Sequence, residues 1–408
     1  MATGEMREEE PFELLKQLGA GGCAVTWKAR VRDEGLVEDF GADIVALKIP
    51  LDKQRERVLQ KELVMNAILH VRLKDLQSAN LVRYLGFGVL DGWIVMAMQY
   101  IGGGSLRNRI GPIGRQRPLP LEEAVELAEG VLSGLAVVHR EQIFHRDIKP
   151  ENILLDGRIP KIADLGIARM LTSGEMAGTN IGTPYYMSPE IVRCEGASFT
   201  SDIWSVGVTL YEMVTGRLPF GSRDDPPWKV VDLIREGHFK PASECRPEIS
   251  QELDQIISKS LQGAPADRFG SAEEMLEHLS TWRQGAASKV EGVFESAREL
   301  LSSMEPAPDA EDKLKDLLAK YPDDPRAYQY LGEYYNRCQR YGDAIAAFKG
   351  GIERRPDNAL LHWDLALAYQ RMGQKREAGQ NLEKAMSLGL DASLQRHAGI
   401  LLKALQAG

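Results

Sequence analysis

The spacing of apolar residues changes once along this chain, and that change limits the folds open to it. From about Phe12 to Pro50 apolar side chains alternate between Gly-rich turns. "DIVALKI" (Asp43–Ile49) and "WIVMAMQY" (Trp93–Tyr100) read as buried strands. From Leu121 the period is 3.6, with Ala124, Leu127, Ala128, Val131, Leu132, Leu135 and Val138 on one stripe. A period of two seats side chains on a strand face, and 3.6 seats them along a helix. Lys53–Val71 reads as a helix between the strands. Further helices are expected at about 201–216, 250–261 and 272–282, the last opened by Ser271 with Glu274 as a capping box. The expected fold class is therefore α+β, a strand-rich part followed by a helical part.

After Trp282 the texture shifts. "RQGAASKVEG" and "SMEPAPDAED" are small, polar and Pro-containing, which suits a linker or irregular packing. Beyond them the chain repeats. Tyr328, Leu331, Gly332, Tyr335, Ala344, Phe348, Gly351 and Pro356 recur 34 residues later as His362, Leu365, Ala366, Tyr369, Ala378, Leu382, Ala385 and Leu390. Moving back by the same step gives Ala310, Leu314 and Leu317, the second helix of a degraded first repeat. The period and the positions resemble the tetratricopeptide repeat. Helix pairs of this size bury a core only by stacking. About Ser393 to Gly408 is expected as a capping helix. A generic helical hairpin domain is the plainer reading.

Composition bounds the partners. The apolar and charged fractions, 43% and 27%, are those of ordinary soluble protein, and 408 residues suffice for two or more domains. A net charge of −9 speaks against nucleic acid or an anionic membrane as main partner. Cys23, Cys194, Cys245 and Cys338 have no metal-type spacing and read as scattered thiols of a reducing compartment. No apolar run reaches the roughly 18–20 residues that cross a bilayer. The start, "MATGEMREEE", is not a signal peptide. A cytoplasmic location is the expectation.

The chemistry concentrates in "FHRDIKPENILL" (Phe144–Leu155), followed by Asp164-Leu165-Gly166, "GTPYYMSPE" (Gly182–Glu190) and "SDIWSVG" (Ser201–Gly207). These motifs, in this order, resemble the eukaryotic-type protein kinase family, in its serine/threonine branch and close to its bacterial members. The resemblance spans about Phe12 to Trp282. It implies a bilobal fold, a β-rich N-lobe and an α-helical C-lobe, with the helical repeats behind it. The expected division is a tail at 1–11, a kinase domain at 12–283, a linker or degenerate repeat helix at 284–309, and repeats with a cap at 310–408.

The resemblance implies ATP and Mg²⁺ as cofactors and gives roles to particular residues. Phosphoryl transfer asks the protein mainly to position groups and offset charge. Asp147 would take or orient the proton of the attacking hydroxyl, and Lys149 would lie against the moving phosphoryl. Asn152 and Asp164 would hold Mg²⁺, which prefers hard oxygen ligands. Lys48 would bind the α- and β-phosphates. Its helical partner is read as Glu62, with Glu56 as competitor.

"LGAGGCAVT", that is Leu18, Gly19, Ala20, Gly21, Gly22, Cys23, Ala24, Val25 and Thr26, would cover the phosphates, although Ala24 replaces the third glycine and Thr26 the closing valine. Ala46 would pack on adenine. Met98 would stand behind it, with Gln99 to Ile101 as hinge. Asp202 would hold the backbone of the catalytic loop, and Glu190 would pair with Arg268. Arg146 would grip a phosphate on the activation loop, with Thr179 as the leading acceptor and Thr172 or Ser173 as alternatives.

Two stretches look inserted: "VRDEGLVEDFGAD", read as a hairpin loop, and "HVRLKDLQSAN". The function implied is phosphorylation of protein substrates, with a peptide or protein partner on the repeats. The competing readings are a nucleotide-binding pseudokinase scaffold and a small-molecule kinase. The set Lys48, Asp147, Asn152 and Asp164 argues against the first, and "GTPYYMSPE" against the second.

Overall fold

The computed structural model describes residues 10–20, 24–53, 56, 60, 78–164, 184–301 and 309–407. The chain forms two compact units, Met1–Arg283 and Gln284–Gly408.

The first unit opens with an antiparallel sheet of five strands: β1 (Phe12–Ala20), β2 (Ala24–Val31), β3 (Ile44–Pro50), β4 (Tyr84–Leu90) and β5 (Trp93–Gln99), in the order β1-β2-β3-β5-β4. One face of the sheet buries Phe12, Ala29, Val45, Leu47, Val95 and Ala97. The stretch read as an inserted hairpin loop is instead a short helix, α1 (Glu34–Phe40). Asp33 caps it by accepting the Leu36 N–H at 2.9 Å, and Gly41 ends it at φ +63°. Its last residue, Phe40, is buried and stacks on Phe12 with ring centres 6.5 Å apart. Gly86 and Gly88 on β4 leave the room these two rings need, since a Cβ there would come within 2.6 and 2.5 Å of them.

The rest of the unit is helical. α2 (Leu106–Ile110), α3 (Leu121–Arg140), α4 (Pro189–Val192), α5 (Phe199–Thr215), α6 (Pro227–Glu236), α7 (Ala242–Cys245), α8 (Gln251–Ser260) and the start of α9 (Ala272–Leu300) surround a second apolar core. The 3.6-residue stripe of α3 supplies much of it. A two-stranded hairpin, β6 (Ile153–Asp156) with β7 (Ile159–Ile162), lies against α3. Gly130 and Gly134 permit that approach: a Cβ at Gly130 would sit 2.4 Å from Pro160, and one at Gly134 2.9 Å from the Asn80 carbonyl. The start of α9 carries the expected cap, Ser271 Oγ accepting the Glu274 N–H at 3.1 Å, while the Glu274 carboxylate accepts the Gly270 N–H at 2.6 Å.

In the second unit, α9 runs on to Leu300, so of the two readings left open for 284–309, linker or repeat helix, residues 284–300 are helix. Their Ala, Lys, Glu and Arg content favours helix enough to outweigh Gly285 and Gly292. Phe294, Ala297 and Leu301 are buried, each 34 residues before Tyr328, Leu331 and Tyr335. Then come α10 (Ala310–Lys320), α11 (Pro325–Arg337), α12 (Tyr341–Arg354), α13 (Ala359–Arg371), α14 (Lys375–Leu388) and α15 (Ala392–Ala407). Glycine allows close crossings here: a Cβ at Gly332 would lie 2.3 Å from the Phe348 ring, and one at Gly351 2.9 Å from Tyr328. Tyr328, Tyr335 and Tyr369 are buried in this core.

Candidate active site

The candidate catalytic residues stand on a turn and two strand ends. Lys149 is extended, and Pro150–Asn152 makes one 3₁₀ turn, closed by the Asn152 N–H donating to the Lys149 carbonyl at 2.9 Å. The chain then enters β6, turns at Gly157 (φ +63°) and returns along β7. The Ala163 N–H donates back to the Asn152 carbonyl at 2.8 Å, which sets Asp164 beside Asn152. The hairpin is anchored in turn: the Val82 N–H donates to the Ile162 carbonyl at 2.9 Å, and the Ile162 N–H to Asn80 at 2.8 Å.

Asp147 is fixed by its neighbours. Lys149 Nζ donates to its Oδ2 at 2.8 Å, and Asn152 Nδ2 donates to the same oxygen at 2.9 Å and to the Asp147 carbonyl at 2.8 Å. The Asn152 side-chain Nδ2 is thus engaged on Asp147, while the side-chain Oδ1 accepts no hydrogen bond among the described residues. Asp164 meets Lys48 Nζ through Oδ1 at 3.0 Å. Burial alone would raise the Asp164 pKa. The Lys48 ammonium outweighs it, helped by Lys149, and the net shift is downward. Asp164 lies at φ +55°, and Arg146 at φ +66°. Positive φ is uncommon outside glycine; aspartate tolerates it better than most, whereas at Arg146 it needs a constraint.

The constraint at Arg146 is visible. Asp202, at the first turn of α5, accepts the His145 N–H at 2.8 Å and the Arg146 N–H at 2.7 Å, one on each carboxylate oxygen. His139 Nε2 adds a third bond to Asp202 at 2.9 Å. His145 completes the brace: its Nδ1 accepts the Asp147 N–H at 3.3 Å, and its Nε2 faces the Ala163 carbonyl at 3.1 Å. That pattern fits a neutral ring with the proton on Nε2, and burial lowers the His145 pKa in the same sense against the pull of Asp202 and Asp147. The sequence reading assigned no role to His145, and only its place before Arg146-Asp147 could have suggested one.

The nucleotide side is built from the sheet. Register sets Gly19 opposite Thr26, Thr26 opposite Lys48, and Ala46 opposite Met98. A Cβ at Gly19 would touch nothing within 4 Å, so the fold itself does not demand glycine there. Ala46 and Ile101 are buried, while Met98 and Gln99 are half-buried. The Gln99 N–H is already bonded to the Arg83 carbonyl at 2.8 Å, whereas the Ile101 N–H has no hydrogen bond among the described residues. Leu18, Ala20, Ala24 and Val25 flank the turn of the β1–β2 hairpin. Gly21, Gly22, Cys23, Glu62, Thr179, Thr172 and Ser173 lie outside the described residues. The competitor Glu56 is buried and accepts the Ile94 N–H and Lys53 Nζ, each at 3.2 Å, which occupies it at the edge of β5.

Glu190 and Arg268 form a buried two-pronged pair, Nη1–Oε1 and Nη2–Oε2 both at 2.8 Å. Ser201 Oγ also donates to Glu190 at 2.6 Å. Burial would raise the Glu190 pKa, but Arg268 and Ser201 bring it down to about 2. A further cluster has no counterpart in the sequence reading. Arg107 bonds Glu212 at 2.7 Å, Glu151 at 2.8 Å and the Tyr186 hydroxyl, and Tyr186 donates to Glu212 at 2.6 Å. An arginine in a basic run gives no sign of a glutamate 105 positions away.

Residues 12–280 match the protein kinase domain family. This chain belongs to the protein kinase family. Among its relatives, a Clostridium perfringens protein named as a probable serine/threonine-protein kinase is 32% identical over 66% of this chain and 38% of its own length. The Bacillus subtilis serine/threonine-protein kinase PrkC is 31% identical over 66% of this chain and 40% of its own. The kinase thus matches well under half the length of these relatives. The crystal structure of Rad53 1–466 in complex with AMP-PNP aligns with a TM-score of 0.52 and 27% identity, over 66% of this chain and 64% of that one. The chain itself has the two-lobed fold of this family, a β N-lobe and an α C-lobe. No helix among the described residues is long and apolar enough to cross a membrane.

The oxygen donors present suit a magnesium ion. Asp164 has a carboxylate held ionised, and Asn152 an amide oxygen left open beside it, which are the hard ligands that Mg²⁺ takes alongside phosphates and water. Among the described residues there is no cluster of three or more His, Cys, Asp or Glu that would suit another metal.

Proposed function

We propose that this kinase transfers the γ-phosphoryl of ATP to serine or threonine hydroxyls of protein substrates. The observation that carries the reading is the Asp147 carboxylate, held by Lys149 and Asn152 next to the Lys48–Asp164 pair.

Asp147 orients the attacking hydroxyl and receives its proton as the new P–O bond forms and the bond to ADP breaks. Positioning and charge offset are the protein's main contributions to such a transfer. Lys149 offsets charge on the moving phosphoryl, and Lys48 on the α- and β-phosphates. Asn152 and Asp164 hold Mg²⁺, which when bound offsets phosphate charge. The open Ile101 N–H and the Gln99 carbonyl meet the adenine edge, with Ala46 against its face. Glu62 is the helical partner of Lys48. Asp202 and His145 keep the Asp147 loop in its strained form, and the Glu190–Arg268 pair is structural. The hairpin Leu18–Thr26 covers the phosphates.

Arg146 receives a phosphate on Thr179, whose ordering effect comes from about −1.5 to −2 added charges. Thr179→Ala should then lower activity to that of phosphatase-treated wild type, and equal activity of the untreated proteins sinks that part. The helix pairs from α9 to α15 are read as tetratricopeptide-like repeats that dock a peptide or protein, with 284–300 as the first repeat's first helix. The 34-residue spacing of Phe294, Tyr328 and His362 supports this.

Purified chain with labelled ATP and Mg²⁺ should label itself or a generic basic protein, and Asp147→Asn should abolish the labelling. A wild type that transfers nothing overturns the proposal in favour of a nucleotide-binding scaffold.

A further inference from the structure

Beside the groove that holds Asp147 opens a cleft of about 440 Å³ walled by Arg107, Pro112, Ile113, Arg115, Glu151 and Arg223. Ile113 and Glu151 also line the groove containing Asp147 and Lys149, so groove and cleft share a wall. A protein chain that brings a hydroxyl to Asp147 would pass beside it.

The charges in the cleft are unequal. Arg107 is neutralised by Glu212 and Glu151, which uses the one acid in the wall. Arg115 and Arg223 are exposed, and among the described residues neither guanidinium meets a carboxylate. Of the acids following Arg223, Asp225 is engaged by Ser222 and by Lys229 at 2.6 Å, and Asp224 is exposed. Two uncompensated cations here run against a chain whose net charge is −9.

Their backbone is held in place. Gln116 donates to Glu212 at 3.0 Å and accepts the Gly114 N–H at 2.8 Å, so the turn bearing Arg115 is tied to the same carboxylate as Arg107. The Arg115 N–H closes that turn on the Pro112 carbonyl at 2.9 Å. Gly114 sits at φ +84°, and a Cβ there would lie 3.2 Å from Cβ and Cδ of Arg223, so the arginine stem rests on the glycine backbone. A held stem, as at Arg223, lowers the entropy lost when a guanidinium takes a ligand.

The geometry points to a substrate-reading subsite in which Arg115 and Arg223 hold an acidic side chain of the protein substrate while its hydroxyl faces Asp147. The anion is a carboxylate of Asp or Glu, or a phosphate already on the substrate. Arginine binds either in two-pronged fashion. This rests on the kinase reading above and adds the class of substrate.

The test walks a single Glu along both sides of a Ser in an otherwise neutral peptide, each peptide matched by its Gln twin and by a phosphoserine version. The readouts are kcat/KM for the Ser peptides and Kd, by fluorescence anisotropy, for twins with Ala in place of that Ser. At one or two positions Glu should beat Gln by about fivefold, the scale of a partly exposed ion pair, with the preference falling as salt rises. A phosphoserine peptide far better than Glu identifies a phosphate as the natural anion, and equality identifies a carboxylate. In the double variant Arg115→Gln/Arg223→Gln the Glu/Gln ratio should fall to near one. In Arg115→Glu/Arg223→Glu the preference should pass to Lys, a gain that misfolding cannot produce. A flat scan in both readouts, or a ratio that survives the double variant, overturns the subsite. Absence of transfer with an arginine-dependent Kd preference overturns the kinase reading instead and leaves the subsite standing.

Discussion

Lys48 Nζ and Asp164 Oδ1 stand 3.0 Å apart although 116 residues separate them. The pair joins the five-stranded sheet to the end of the β6–β7 hairpin, so each lobe supplies half of it. Lys48→Met should therefore weaken nucleotide binding and cut kcat/KM by roughly 10²–10³-fold, the scale of losing one preorganised charge at a transferring group. The fold should survive, because Lys48 lies on a strand whose packing residues are Val45 and Leu47. Thermal unfolding with and without Mg-ATP checks both points. Wild-type midpoints should rise with ATP, and variant midpoints should not. The Asp164 pKa is lowered from 3.8, so the pair's contribution is present above that value and is lost as pH falls further, through the lowered folded pKa. The pair should thus be intact at neutral pH, and ATP-induced stabilisation should be flat from pH 6 to 8.

The Glu190–Arg268 pair should govern stability rather than chemistry. Both side chains are buried, and Arg268 also donates to the carbonyls of Gln262 at 2.7 Å, Thr200 at 3.0 Å and Gly263 at 3.2 Å. Arg268→Ala leaves Glu190 charged and three carbonyls short of a donor, which should cost about 3–5 kcal/mol. The Glu190 pKa falls from 4.5 to about 2. A depressed carboxyl contributes stability above its unfolded value and loses it as pH drops toward the folded one. Acid unfolding of wild type should therefore be helped by this group between pH 4.5 and about 2, and Arg268→Ala should unfold at a higher pH. Circular dichroism along an acid titration reads the difference.

Short-range order was legible from the chain, and long-range partnerships only partly so. The motif Phe144–Leu155 and the 3.6-residue stripe of α3 write their positions directly, because each depends on residues a few places apart. A helix at Glu34–Phe40 was missed, since seven residues with one buried side chain give too little periodicity. For 284–309 the small residues left a linker and a degenerate repeat helix both open, and only the buried Phe294 and Ala297, 34 residues before recognised repeat positions, distinguish them. The brace from His145 to Ala163 and the bonds of Arg107 to Glu212 unite residues 18 and 105 apart, and nothing local announces them. Asp202 was found only through the family resemblance.

Gly103 was also overlooked within "IGGGS", and it carries a sharp prediction. A Cβ at this position would lie 2.1 Å from the Leu155 carbonyl oxygen, a backbone atom that cannot swing aside. The neighbouring Gly104 carbonyl accepts the Leu155 N–H at 2.9 Å, so the segment after the hinge is strapped to β6. Gly103→Ala must part that strap. It should cost about 1–3 kcal/mol by overpacking and raise KM for ATP, since the Ile101 N–H moves with the segment. Gly102→Ala is the control: its Cβ would meet only the Tyr100 ring, at 3.8 Å. Equal ATP kinetics in the two variants would refute the argument.

The second unit offers a prediction of opposite sign. Asp364 on α13 accepts Gln329 Nε2 at 2.8 Å, but burial lifts its pKa from 3.8 to about 7, and the Glu333 carboxylate pushes the same way. A carboxyl with a raised folded pKa destabilises the fold once it must ionise. That cost is absent at pH 4, grows as pH rises, and is complete above about 7. Asp364→Asn removes the charge and keeps an oxygen for Gln329. The variant should be more stable than wild type at pH 8, by at least about 1 kcal/mol given ~1.4 kcal/mol per pKa unit. The gain should shrink at pH 5 and vanish near pH 4. Denaturant unfolding of the full chain at the three pH values measures it, and a gain that does not depend on pH would show that burial of the charge is not its cause.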